Sequence, residues 1–213
     1  MKTTKLILLL FMLVFVAASL NAQDSDKASD LLQRSLDRMR ELQDYRAVLT
    51  MTVSHPDMNA PIVKNGNVLV SGKRAHLLFP EQEVIMNEQY VWVILYDGPE
   101  IVKTNASDDD LNQVSLFQVI QSPTTLRYDG KDGNLEKITL FFNTPDSDII
   151  YQQLWINPDL LIVKNKTLGR NSAMYEYQME NHQLNTGTTD ADFTVDLNSD
   201  KYKEYVLTDL TEN

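Results

Sequence analysis

The chain has 213 residues, of which 43% are hydrophobic and 23% charged, with no cysteine and a formal net charge of -11. This composition fits one folded domain, or at most two small ones, and excludes a disordered, fibrous or disulfide-stapled chain. The acidic balance excludes nucleic acid as a partner, because binding to phosphates requires a cationic surface, and it disfavours docking on anionic lipid.

The first 22 residues have the layout of a secretory signal peptide. A short cationic start precedes an unbroken hydrophobic run at 6–20, and Ala22 stands where a signal peptidase would cut. The run is shorter than the roughly 20 residues that a membrane-spanning helix needs. We therefore predict a signal peptide at 1–22, a single domain at 23–213 and a periplasmic location, with an uncleaved anchor as the alternative.

Residues 25–44 are predicted to form an amphipathic helix. Hydrophobic residues recur at three- and four-residue spacing, and charged residues occupy the other face. The hydrophobic positions are Ala28, Leu31, Leu32, Leu36, Met39 and Leu42.

From Tyr45 onward the hydrophobic pattern changes to a period of two, which indicates β-strands. Short turns separate the strands, so neighbours are expected to pair antiparallel. A second helix is expected at 108–121 and a last short strand at 193–195. The other predicted strands lie at 45–53, 62–71, 74–79, 83–86, 90–96, 101–104, 125–128, 135–142, 149–156, 160–167 and 173–180.

About ten or eleven strands in one meander are more than a flat open sheet tolerates, so the sheet should curve into a half-barrel. Each of the two helices has one hydrophobic face, which packs most economically as a lid over the concave side of the sheet. The predicted fold class is α+β, mostly β: a curved antiparallel half-barrel covered by helices.

The order of these elements resembles that of the periplasmic outer-membrane lipoprotein carriers, the LolA-like family. The opening helix runs directly into the strand at 45–53, Gly66 lies in a strand that precedes the basic segment at 73–79, and 90–96 matches an aromatic-rich strand. The segment 191–195 matches the closing Asp-x-Phe strand. Two elements depart from the family: no proline follows the basic residue near position 74, and no Pro-x-Gly element follows the terminal Phe strand.

The resemblance implies a carrier that holds the acyl chains of lipoproteins, or of another lipid, in an apolar cavity between the inner and the outer membrane. The implied partners are an acylated lipoprotein or lipid, an inner-membrane extraction complex and an outer-membrane acceptor. The carrier would be a monomer without a cofactor. A basic residue has a functional role in the family, and either Lys73 or Arg74 matches it, where it would couple opening of the lid to release of the cargo.

The expected cavity is formed by hydrophobic side chains from the two helices and the strands that face them. Methionines among them suit flexible acyl chains. The same side chains could also form an ordinary packed core. The candidates are Leu32, Leu36, Met39, Met51, Leu77, Phe79, Trp92, Ile94, Phe117, Ile120, Phe141 and Trp155.

Two further hypotheses stand beside the carrier. The first is a lipid-sensing or envelope-stress regulatory module, which binds lipid on the same scaffold without transferring it. The second is a hydrolase, which is not expected because the sequence has no nucleophile elbow, P-loop or dinucleotide motif. A metal site is not expected either, because His55, His76 and His182 lack the spacing of metal ligands.

Overall fold

The computed structural model describes residues 24–107, 123–145 and 147–211. The predicted signal peptide and the predicted helix at 108–121 lie outside these residues. The described part contains one α-helix, α1 (24–40), and twelve strands in a single open, curved sheet. The predicted fold class, a mostly-β half-barrel with a helix, is confirmed. Within the same residues, no helix combines the length and the hydrophobicity that crossing a bilayer requires.

The strands follow the alternating segments of the sequence closely. Each consecutive pair from β1 to β6 and from β7 to β11 is antiparallel, as the short turns predict. The strands are β1 (Tyr45–Ser54), β2 (Ile62–Ser71), β3 (Arg74–Leu78), β4 (Gln82–Met86), β5 (Tyr90–Leu95), β6 (Glu100–Asn105), β7 (Thr125–Asp132), β8 (Leu135–Phe141), β9 (Ile149–Ile156), β10 (Ile162–Gly169), β11 (Met174–Leu184) and β12 (Val206–Asp209).

The sheet consists of two meanders joined at its centre. Its strand order is β12-β6-β5-β4-β3-β2-β1-β11-β10-β9-β8-β7. The first strand, β1, therefore pairs with β2 on one side and with β11 on the other, from Tyr45 opposite Leu184 to Ser54 opposite Met174. This antiparallel pair turns two separate meanders into one continuous surface.

The predicted strand at 193–195 is wrong. Residues Asp190–Phe193 form a 3₁₀ helix, in which the backbone N–H of Thr189 donates to Asp192 Oδ2 at 2.8 Å and the N–H of Asp192 donates to the carbonyl of Thr189 at 3.2 Å. These local hydrogen bonds curl the backbone, whereas a strand requires an extended backbone. The last strand is instead β12, which pairs parallel with the outer edge of β6.

The helix covers one face of the sheet, which we call the helix face. Ala28, Leu31 and Leu32 pack on the inward side chains of β8 and β9, among them Leu140 and Leu154. The hydroxyl of Ser35 donates a 2.8 Å hydrogen bond to the carbonyl of Leu160. This contact fixes the middle of α1 to the turn between β9 and β10.

The end of the chain crosses the opposite face, which we call the strap face. Residues 185–211, the strap, leave β11 and end beyond β12 at the edge of β6. Val195 and Tyr202 are buried against a hydrophobic cluster of β4, β5 and β6, formed by Ile85, Trp92, Ile94 and Ile101. The strap therefore serves as the second hydrophobic layer for this half of the sheet.

A buried carboxylate fixes the first residues of the strap. Asp44 Oδ1 accepts the N–H of Thr186 at 2.9 Å, and Asp44 Oδ2 accepts the N–H of Gly187 at 2.8 Å. Burial raises the pKa of Asp44, but these hydrogen bonds, with the Thr186 hydroxyl, outweigh it and hold the pKa below its usual value. The loop between α1 and β1 is thus tied to the loop after β11.

Candidate functional site

Strands β4 to β6 carry hydrophobic side chains on both faces. On the strap face, Trp92, Ile94 and Ile101 are buried by the strap. On the helix face, Val84, Val93 and Val102 are only partly buried, whereas Met86 is fully buried. A sheet face that meets solvent is normally polar, so this hydrophobic face is the candidate surface for a hydrophobic ligand.

The half-exposed residues form a continuous row across four strands. Leu77 lies opposite Val84, Val84 lies opposite Val93, and Val93 lies opposite Val102. We call these four residues the valine row. The row continues inward to Val68 of β2, which is buried. Neighbouring residues of the row lie on adjacent strands and are therefore about 5 Å apart. The four residues together form a strip about as long as a segment of an acyl chain.

An aromatic ring connects the valine row with the helix. Phe79 packs with Leu77 in a cluster that also receives Met39 and Leu42 from the end of α1 and the loop after it. The ring lies against Gly66, where an added Cβ would come within 2.7 Å of Phe79 Cδ1. The glycine is therefore required because the ring occupies the space above it.

The structure places six of the predicted cavity residues on the helix face. Leu32 and Leu36 belong to the cluster beneath α1, and Met51 lies in β1, opposite Tyr177 of β11. The other three, Met39, Leu77 and Phe79, belong to the cluster that borders the valine row. Phe117 and Ile120 lie outside the described residues.

Four predicted cavity residues occupy strand positions of the strap face, although Trp155 also belongs to a cluster with Leu161 and Val163 against which Met39 packs. Trp92 and Ile94 are covered by the strap. Trp155 donates its indole N–H to Asp132 Oδ2 at 2.9 Å, and its ring centroid lies 4.8 Å from Lys137 Nζ. The ring of Phe141 faces the guanidinium of Arg127 at 5.1 Å. Along each strand, these four residues alternate with residues of the helix face. Their side chains therefore lie on the opposite face of the sheet.

The residues that sequence reasoning missed are the small neighbours of these large ones. Val84, Val91, Val93 and Val102 occupy the helix face of β4 to β6. The available signal was that both alternating sets in these strands are hydrophobic. Because a period of two does not say which set faces the helix, the sequence pattern favours the larger side chains.

The two candidate basic residues have different surroundings. Lys73 is exposed in the turn between β2 and β3. Arg74 lies on the strap face, where Nη1 donates to Asp190 Oδ1 at 2.7 Å and the guanidinium carbon lies 4.6 Å from the centre of the Phe193 ring. Arg74 therefore holds the strap and does not border the valine row.

The histidines bind protein groups. His76 Nε2 lies 2.8 Å from Glu83 Oε1, His182 Nδ1 lies 2.7 Å from the hydroxyl of Tyr45, and His55 Nε2 lies 2.8 Å from the carbonyl of Asn171. Burial lowers the pKa of His182. Over residues 24–107, 123–145 and 147–211, no group of three or more His, Cys, Asp or Glu side chains is placed to hold a metal ion.

No family model matches the sequence, and no curated protein matches it. Solved structures do match. An uncharacterized conserved protein from Thermus thermophilus aligns over 83% of this chain and 98% of its own at 14% identity, with a TM-score of 0.54. The Mycobacterium tuberculosis lipoprotein LppX aligns over 76% and 98% at 15% identity, with a TM-score of 0.50.

A LolA superfamily protein from Nitrosomonas europaea aligns over 79% of this chain and 98% of its own at 14% identity, with a TM-score of 0.43. Likeness at such identities concerns the fold alone. Taken with the order of the strands and the helix on the sheet, the two alignments with TM-scores of 0.54 and 0.50 show that the protein shares the fold of the Thermus thermophilus protein and of LppX.

Proposed function

We propose that the protein is a carrier of the cell envelope that shelters the acyl chains of lipoproteins, or of another lipid, on its helix face. The observation that supports this proposal is the valine row, a hydrophobic strip that stays partly exposed while Ile85, Trp92, Ile94 and Ile101 on the other face of β4 to β6 are buried. A packed core has no need of such a strip, whereas a carrier requires one.

The physical need for a carrier comes from the acyl chain. Each methylene exposed to water costs about 0.8 kcal/mol, so a chain of about 15 methylenes costs on the order of 12 kcal/mol. A protein that crosses an aqueous compartment with this load must replace water with hydrophobic side chains. It must also release the load, so the surface must be reversibly covered. We assign this cover to α1, whose Met39 and adjoining Leu42 reach the cluster beside the valine row.

The route of the cargo follows from this proposal. The protein would receive its cargo from an inner-membrane extraction complex and deliver it to an outer-membrane acceptor. This requires export through the signal peptide at 1–22 and a location in the periplasm. Either Lys73 or Arg74 would assist the handover.

The first experiment tests whether the valine row binds lipid. The full chain is expressed with export, purified without detergent and extracted with organic solvent, and the extract is analysed by mass spectrometry. We expect near-equimolar lipid or acylated peptide from the natural protein, and much less from Val84→Asn or Val93→Asn. The matched control is Val63→Asn, which changes a valine that is 56% exposed on the strap face.

A second experiment separates a carrier from a regulatory module. Protein loaded with radiolabelled lipid is mixed with acceptor vesicles, and the transferred label is counted after sedimentation. Transfer supports the carrier, whereas binding without transfer favours the lipid-sensing module. A natural protein that contains no lipid and takes up no hydrophobic dye would contradict both.

A further inference from the structure

A polar cluster interrupts the hydrophobic helix face. Gln152 of β9 is fully buried, at 0% exposure, and lies opposite Thr167 of β10. Its Nε2 donates to Asn165 Oδ1 at 2.9 Å and to Thr167 Oγ1 at 3.2 Å. Its Oε1 accepts no hydrogen bond from any group in the described part of the chain.

The orientation of the Gln152 amide follows from that of Asn165, whose Oδ1 faces both Gln152 Nε2 and Thr167 Oγ1. The hydroxyl of Thr167 donates its single proton to Asn165 Oδ1 at 3.2 Å. Both atoms that face the amide of Gln152 are therefore acceptors, and only the NH₂ end of that amide can meet them. The unpaired atom is consequently the carbonyl oxygen, which points away from Asn165 and Thr167.

Gln152 lies next to residues that pack beneath α1. Gln152 is opposite Leu140 on β8 and two residues from Leu154 on β9, and both leucines pack beneath α1. On the other side of the cluster, Asn165 lies opposite Tyr177. A helix that lifts from Leu140 and Leu154 to admit an acyl chain would thus uncover the amide as well.

A buried acceptor without a donor costs stability, so its presence calls for an explanation. The neighbours of Gln152 on the helix face are neutral: Leu140, Leu154, Asn165 and Thr167. An ammonium group would need a carboxylate beside it to be buried here, whereas a neutral donor needs only the amide oxygen. The site therefore fits a neutral N–H group attached to a hydrophobic chain.

We propose that Gln152 Oε1 binds the amide N–H at the head of the cargo's acyl chain, and thereby makes the protein select acyl amides over acyl esters. This inference rests on the proposed lipid-binding function and adds a specificity-determining residue to it. An N-acylated peptide and a free amide-linked lipid share this chemistry, and mass spectrometry of the lipid extracted from the natural protein distinguishes the two sources.

The test uses ligands that differ in one group. N-methylpalmitamide has one N–H, and methyl palmitate has none, while their chains are the same. Their dissociation constants are measured by displacement of a hydrophobic fluorescent dye from the full chain. We expect the preference for the amide over the ester to fall by roughly 2- to 10-fold in Gln152→Met, the range for loss of one hydrogen bond. Met has a similar volume, and Asn165 Oδ1 keeps the Thr167 donor.

The matched control is Gln153→Met, one residue away on the strap face, where Gln153 Nε2 donates to Thr139 Oγ1 at 3.2 Å. We expect this variant to leave the amide preference unchanged. A merely structural role of Gln152 would weaken the binding of both ligands equally and would overturn the inference.

A second comparison needs no variant. N,N-dimethylpalmitamide keeps the amide carbonyl but lacks the N–H, and we expect it to bind the natural protein roughly 2- to 10-fold more weakly than N-methylpalmitamide. Equal binding of these two amides would overturn the inference without contradicting the proposed carrier function. If the natural protein binds none of the ligands, the proposed function itself fails.

Discussion

The ammonium nitrogen of Lys201 lies 2.8 Å from Glu83 Oε2, although 118 residues separate the two. Glu83 is only 4% exposed and also bonds to His76 Nε2 and to the hydroxyl of Tyr96, each at 2.8 Å. The hydrogen bond with His76 is the largest effect on the pKa of Glu83, followed by burial, which opposes it. Together with Lys201 and Tyr96, these effects lower that pKa to about 2. The buried carboxylate therefore anchors the second half of the strap.

Replacing this carboxylate should make the protein less stable in a way that depends on pH. The pKa of Glu83 is lower in the folded chain than its ordinary value of 4.5, so its contribution is complete above that value and is lost as the pH falls toward 2. We expect Glu83→Gln to lower the free energy of unfolding at pH 7 by about 1–3 kcal/mol. The difference from the natural protein should shrink at pH 4 and again at pH 3.

Urea unfolding followed by circular dichroism at pH 7, 5, 4 and 3 measures this difference. Glu88→Gln is the control, because Glu88 is an exposed glutamate in the turn between β4 and β5. If the difference in the free energy of unfolding between Glu83→Gln and the natural protein stays constant from pH 7 to pH 3, the charge of the carboxylate is not the cause of the lost stability.

The two neighbouring basic residues should differ in their effect on the strap. Arg74→Ala removes the bond to Asp190 and the contact with Phe193, so we expect faster hydrogen exchange of the backbone amides at 189–195. Lys73→Ala should leave this exchange unchanged, because Lys73 is an exposed turn residue. The same two variants test the handover: lipid transfer that neither of them slows would rule out a role for this basic pair.

Gly66→Ala should destabilise the protein without changing any polar contact. The new Cβ would lie 2.5 Å from the carbonyl oxygen of Leu78 and 2.7 Å from Phe79 Cδ1, and the backbone oxygen is held in the sheet. We expect a loss of about 1–3 kcal/mol in the free energy of unfolding, as for other overpacked sites. Asn67→Ala, at the next and exposed position of β2, is the control in the same denaturation experiment. Equal stabilities of the two variants would mean that Phe79 does not fill this space.

Adjacent residues of β5 should separate folding from lipid binding. Trp92→Leu leaves a void beneath the strap, so we expect a loss of about 2–4 kcal/mol in the free energy of unfolding. The folded fraction should retain its bound lipid. Val93→Asn should have the opposite effect, with little loss of stability and a loss of lipid. Lipid content per folded molecule and thermal unfolding are measured on both variants, and a Trp92→Leu protein that folds but lacks lipid would contradict the assignment of the two faces.

The fold could be predicted because its strands have strong local signals. In β1, Tyr45, Ala47 and Leu49 alternate with Arg46 and Thr50, so both the strand and its buried face can be read from the sequence. Short turns then specify antiparallel neighbours. The pairing of β1 with β11 joins segments more than a hundred residues apart and has no local signal at all.

The candidate site was harder to predict, for a physical reason. In β5, Val91 and Val93 alternate with Trp92 and Ile94, so either set could face the helix. The strap decides which set is buried, and Asp44, Arg74 and Glu83 hold the strap in place through hydrogen bonds. A side chain's face in such strands is therefore set by a distant segment.

The pairing of β1 with β11 also determines when the chain can fold. Strand β1 is the first strand to be synthesised, but one of its two partners, 174–184, comes almost last. The hydrophobic residues beneath the strap are covered even later, once residues 193–202 have been synthesised. Folding that depends on such distant contacts is slow. Until the last residues are synthesised, strands β3 to β6 expose hydrophobic side chains on both faces, so the incomplete chain is prone to aggregate.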